Sequence, residues 1–121
     1  MNFDWDDVSL DHPQVIRALS ELNSEFGSGR VWYRISSSGT GLHVIIADVA
    51  PNLTLLPLTF DDDFVFQWRQ KLSAKPYGLE CSGRLKADQE RFAHGFRIGR
   101  IFSTKNSLES GPWQLFCEES L

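Results

Sequence analysis

Two short stretches carry residues whose types and spacing could do chemistry. The opening segment MNFDWDD alternates Phe3 and Trp5 with Asn2, Asp4 and Asp6. In a strand, successive side chains point to opposite faces, so Phe3 and Trp5 would enter a core while Asp4 and Asp6 stand together on the other side. Two carboxylates on one face repel, which leaves two outcomes open: a solvated strand end, or a divalent cation that holds the pair together. The second stretch, WYRISSSGTGLHVIIA from Trp32 to Ala47, reads as a strand, a loop and a second strand carrying His43. Its loop, Ser36 to Gly41, holds nothing larger than threonine. It is longer than a tight turn requires and offers backbone N–H groups and hydroxyls to an anion, although a flexible hairpin end is the plainer reading.

Phosphoryl transfer asks for carboxylates to hold one or two divalent metal ions, and for cationic or N–H donors to hold a triphosphate. Asp4, Asp6, Arg34, the loop with Ser36, Ser38, Gly39 and Gly41, and His43 supply each part. A third acidic ligand would complete a two-metal site, and Asp88, Glu80 and Glu90 are the candidates, with Arg97 and Arg100 as further cations. Trp32 is a core or edge aromatic, with a stacking platform for bases as the alternative.

The elements that must position these groups follow from pattern and punctuation. Asp11 to Gly27 is the clearest helix, with Asp11 or His12 as cap, Pro13 in the first turn and Gly27 just past the last. Val15, Ile16, Leu19, Leu22 and Phe26 recur at helical spacing and form one stripe to lay on a sheet. If the more apolar sets of the hairpin strands face that helix, then Arg34, Ser36 and His43 join Asp4 and Asp6 on an uncovered face. Pro51 to Pro57 reads as a connection, and Thr59 or Asp61 caps a second helix through about Leu72. Leu79 to Ser82 is expected as a short strand, Ala87 to His94 as a short helix, Phe96 to Thr104 as a strand, and Trp113 to Cys117 as a last edge strand. The order predicts one α+β domain over residues 1–121, an RRM-like, mostly antiparallel sheet with helices on one face.

Composition narrows the function classes. With 41% hydrophobic and 23% charged residues, the chain is expected to fold as a globule without a partner. A net charge of -4 argues against simple coating of nucleic acid, where phosphate neutralisation dominates. The basic residues between Arg84 and Lys105 read as a solvated surface ahead of a nucleic-acid track. The absence of a long apolar run or a basic leader predicts an intracellular, cytoplasmic protein without a membrane span. Cys81 and Cys117 lack metal-ligand spacing and are expected to be reduced.

The pairing of FDWDD, a helix, and then YRISSSGTGLHVII resembles the catalytic core of archaeo-eukaryotic primases, the primase–polymerase superfamily. That family shows an apolar-Asp-x-Asp strand, matched by Asp4 and Asp6, and a motif S-G-x-G-apolar-His, matched by Ser38, Gly39, Gly41, Leu42 and His43. Its third motif, an apolar residue followed by Asp, falls at Ala87-Asp88. The resemblance implies that Asp4, Asp6 and Asp88 hold Mg²⁺ or Mn²⁺, and that Ser38 and His43 contact the phosphates of an incoming nucleoside triphosphate. Family cores carry a further module before the Asp-x-Asp strand and are larger than this chain. The expectation is therefore a minimal or degenerate relative, of the small kind found on viruses and plasmids, acting in DNA replication. The competing expectation is a non-catalytic accessory protein that binds a replication protein, a second copy of itself or single-stranded DNA, with the WQLFC edge available for pairing. A replication-initiator nuclease fits less well, because no H-x-H is present.

Overall fold

The computed structural model describes residues 1–36, 39–95 and 112–117. Its elements are β1 (Asn2–Trp5), α1 (Pro13–Phe26), β2 (Val31–Ile35), β3 (Leu42–Val49), β4 (Leu55–Pro57), α2 (Asp62–Ser73), α3 (Ser82–Ala93) and β5 (Gln114–Leu115). The strands form one antiparallel sheet in the order β1-β3-β2-β5, with β4 also paired to β3. The expected α+β class is the one found. Among the described residues no helix is long and apolar enough to cross a membrane.

Alternation fixes the core face. Phe3 and Trp5 of β1, Leu42, Val44 and Ile46 of β3 and Val31 of β2 are buried together with Val15, Ala18, Leu19 and Leu22 of α1. Leu72 of α2 joins the same cluster, while Phe26 at the end of α1 meets Phe60, Phe64 and Trp68 in tilted and edge ring contacts. His12 caps α1, its Nδ1 accepting from the N–H of Gln14 at 3.2 Å, and Gly27 ends the helix at φ 95°. That positive φ is reached by glycine at little steric cost.

Three expectations need correction. Pro51 to Pro57 is not a plain connection, because the N–H of Ala50 donates to Thr54 O and turns the chain back as β4. Pro57 is tolerated there because β4 is short and peripheral, where a missing N–H costs little. Leu79 to Ser82 is not a strand. The N–H groups of Leu79 and Glu80 both donate to Leu72 O, which curls the chain over the end of α2 and straight into α3. The third helix consequently begins at Ser82 and not near Ala87. Trp113 to Cys117 contributes a strand of two residues, and the strand expected at Phe96 to Thr104 lies outside the described residues.

β1 and β4 lie end to end along one edge of β3. Ile46 N–H donates to Met1 O and Ile46 O accepts from Leu58 N–H, both at 2.9 Å. β2 occupies the other edge, so β3 is central and His43 is flanked on both sides.

Candidate functional site

Register brings three of the expected residues into one row. His43 lies opposite Asp4 on β1 and opposite Arg34 on β2, so three side chains share a face at cross-strand spacing. This face is not the open one expected, since Arg34 is 3% and His43 2% exposed, and Ile45 and Ala47 beside them are buried. The indole of Trp113 lies against the Arg34 guanidinium, 4.3 Å from its carbon, a cation–π contact that replaces water on one side of the charge.

The hydrogen bonds of His43 assign its tautomer. Arg34 Nε donates to His43 Nδ1 at 3.0 Å, so Nδ1 carries a lone pair and the proton sits on Nε2. Nε2 in turn faces Asp4 Oδ1 at 3.8 Å, beyond hydrogen-bond reach. Burial pushes the imidazole below its ordinary pKa and Arg34 pushes the same way, while Asp4 and Asp6 oppose them without prevailing. His43 is therefore a neutral ring whose Nε2–H is turned toward Asp4, a donor of the kind an anionic oxygen accepts from and a metal ion does not.

A pH dependence follows. Because the folded value lies below the unfolded one, His43 contributes full stability above about pH 6.5 and less as the pH falls below that toward the folded value. In that window the slope approaches about 1.4 kcal/mol per pH unit. Glu80, whose pKa is raised by burial against the opposing pull of Arg69, has the opposite sign and loses stability as pH rises through its folded value. Urea melts from pH 8 to 5 on the intact chain and on His43→Gln separate the two. Their difference should grow in favour of the variant on acidification, and parallel curves would contradict the assignment.

The acid pair converges on one cation. Arg84, in the first turn of α3, places Nη1 3.3 Å from Asp4 Oδ2 and Nη2 2.7 Å from Asp6 Oδ2. Burial disfavours its charge, but the hydrogen bond to Asp6 and the fields of Asp6 and Asp4 outweigh that and raise its pKa. Sequence reasoning missed Arg84, assigning it to a solvated basic surface. With α3 expected to begin at Ala87, nothing local pointed this side chain at a strand some eighty residues earlier.

The expected third carboxylate is elsewhere. Asp88 Oδ2 is held by Arg69 Nη1 at 2.9 Å and its other oxygen lies 3.8 Å from Arg91, so the structure does not bring it to Asp4 and Asp6. Glu80 is buried on Arg69 Nε at 3.1 Å, and Glu90 is exposed. Among the described residues no group of three His, Cys, Asp or Glu side chains is placed to hold a metal ion.

The loop is only partly as expected. Ser36 N–H donates to Gly41 O and Gly39 N–H to Ser36 O, both at 2.9 Å, so these two amides close the loop and do not face an anion. Ser38 lies outside the described residues, as do Arg97 and Arg100. Gly41 is buried where β1 ends: a Cβ there would stand 2.4 Å from the carbonyl oxygen of Trp5. Only a residue without a side chain lets the loop meet the end of the strand that carries Asp4 and leads into Asp6. Trp32 is half-buried, opposite Ile45 and Leu115.

No family model, curated protein or solved structure matches the chain.

Proposed function

We propose that the chain binds a nucleoside triphosphate together with Mg²⁺ or Mn²⁺ as a minimal relative of the primase–polymerase domains. Asp4 and Asp6 are the metal ligands and His43 is a donor to phosphate. The observation that carries this reading is that a carboxylate from β1 and one just past its end converge on a single positive charge, with a buried imidazole beside them. The donor set fits a hard cation, since both acids offer oxygen and both are partly open to solvent. Bound there, the ion would neutralise phosphate charge. With two acids assembled and Asp88 engaged by Arg69, the proposal is one of binding, with nucleotidyl transfer as its extension.

Thermal melts with Mn²⁺ and ATP test it. At ten times the dissociation constant the complex gains about 1.4 kcal/mol, or roughly 5 °C for a domain of this size. Asp4→Asn/Asp6→Asn should abolish the shift, and no shift in the intact chain at millimolar ligand would refute the proposal. Extension of a primer on a single-stranded template is the assay for transfer.

A second reading rests on β5. This strand stands at the end of the sheet path, pairs with β2 at two positions and exposes Leu115, an edge open to another strand among the described residues. A concentration-dependent dimer without nucleotide affinity would favour the accessory role.

A further inference from the structure

Arg84 has a second use if the proposed site is correct. A divalent ion on Asp4 and Asp6 would balance both carboxylates and leave the guanidinium a few ångströms from a like charge, with its two partners taken. Repelled there, it turns to another anion, and because the nearby Glu80 carboxylate is buried and already held by Arg69, that anion comes from outside the chain. Its surroundings supply a direction, because Arg84 belongs to the first turn of a 12-residue helix that has no acidic residue in that turn and no side-chain hydrogen bond at its Cys81 cap. Such a helix end is partially positive and favours phosphate. The His43 Nε2–H lies on the other side of Asp4. Phosphates seated beside the ion would therefore meet an imidazole donor from the sheet and a guanidinium from α3.

We infer that Arg84 is the phosphate-binding cation of this site, held between Asp4 and Asp6 until a divalent ion takes the carboxylates and then released to the nucleotide. The inference rests on the nucleotide and metal reading and assigns it a residue that the sequence motifs do not include. The side chain is 42% exposed and is long enough to swing without moving the helix. One group thus has opposite effects on two ligands: it competes with the metal ion alone and assists the metal–nucleotide complex.

The experiment measures Mn²⁺ binding by electron paramagnetic resonance, and ATP binding in the presence of saturating Mn²⁺ by calorimetry. It compares the intact chain, Arg84→Gln, Arg84→Lys and Asp4→Asn/Asp6→Asn. Arg84→Gln should bind Mn²⁺ alone about tenfold more tightly and Mn²⁺–ATP about tenfold more weakly. Arg84→Lys, which cannot span both acids, should also bind Mn²⁺ alone more tightly while keeping part of the ATP affinity, and it carries the test if the glutamine variant does not fold. A surface ion pair without this role would leave both constants unchanged in a chain that binds Mn²⁺–ATP, and that result overturns the inference alone. Failure of the intact chain and of both Arg84 variants to bind Mn²⁺ or ATP overturns the underlying reading as well.

Discussion

Gly41→Ala destabilises the chain by about 3 kcal/mol. The added methyl would meet Trp5 O at 2.4 Å, and the Trp5 carbonyl carbon and Asp6 Cα at 3.3 Å. All three are backbone atoms, so no rotamer change relieves the overlap and β1 must move away from the start of β3. That movement weakens the pairing of Trp5 with Leu42 and draws Asp6 away from the row of Asp4, His43 and Arg34. Gly39→Ala is the control. Gly39 has φ 77° and nothing within 4 Å of where a methyl would stand, so its substitution costs only the left-handed backbone preference, about 1 kcal/mol. Urea denaturation of both variants, with amide exchange at Val44 and Ile46, measures the difference. Equal stability of the two would mean that the contact between loop and strand does not constrain β1.

The row on which that outcome depends was legible in the sequence, because alternation decides faces and a hairpin decides neighbours. Given MNFDWDD and the two halves of WYRISSSGTGLHVIIA, Asp4, Arg34 and His43 had to share a face if their strands were adjacent. Burial of the face was not legible. Arginine and histidine ordinarily signal solvent, but Arg34 Nε donates to His43 Nδ1 and Trp113 lies against the guanidinium, so polarity no longer reports exposure. The start of α3 was illegible for a different reason. It depends on Leu72 O accepting from two successive amides after the chain reverses at Lys75 to Gly78, a tertiary event with no periodicity. Once α3 begins at Ser82, Arg84 reaches the acid pair and Asp88 falls to Arg69. One boundary therefore accounts both for the cation that was missed and for the third carboxylate that was misplaced.

The position of α3 rests on Arg69, and Arg69→Met should cost about 3 kcal/mol at neutral pH. Arg69 is 9% and Glu80 7% exposed, and the pair is joined at 3.1 Å, with Asp88 on the same guanidinium at 2.9 Å. Removing the arginine leaves a buried carboxylate without its counter-charge. Burial already raises the Glu80 pKa and Arg69 is the main influence holding it down, so in the variant the carboxyl moves further up and keeps its proton. A folded value above the unfolded one means that stability is fully present below the unfolded pKa and is lost as pH rises through the folded value. The deficit of Arg69→Met should therefore shrink as the solution is brought toward about pH 4.5. Arg69→Met/Glu80→Leu removes the orphaned acid along with its partner and should return to within about 1 kcal/mol of the intact chain, because apolar groups of similar size replace buried ion pairs at little cost. Chemical denaturation at pH 7 and pH 5 distinguishes the cases. A double variant as unstable as the single one would show that the cost does not come from the orphaned Glu80 but from what Arg69 itself holds, its bridge to Asp88 on the helix that delivers Arg84.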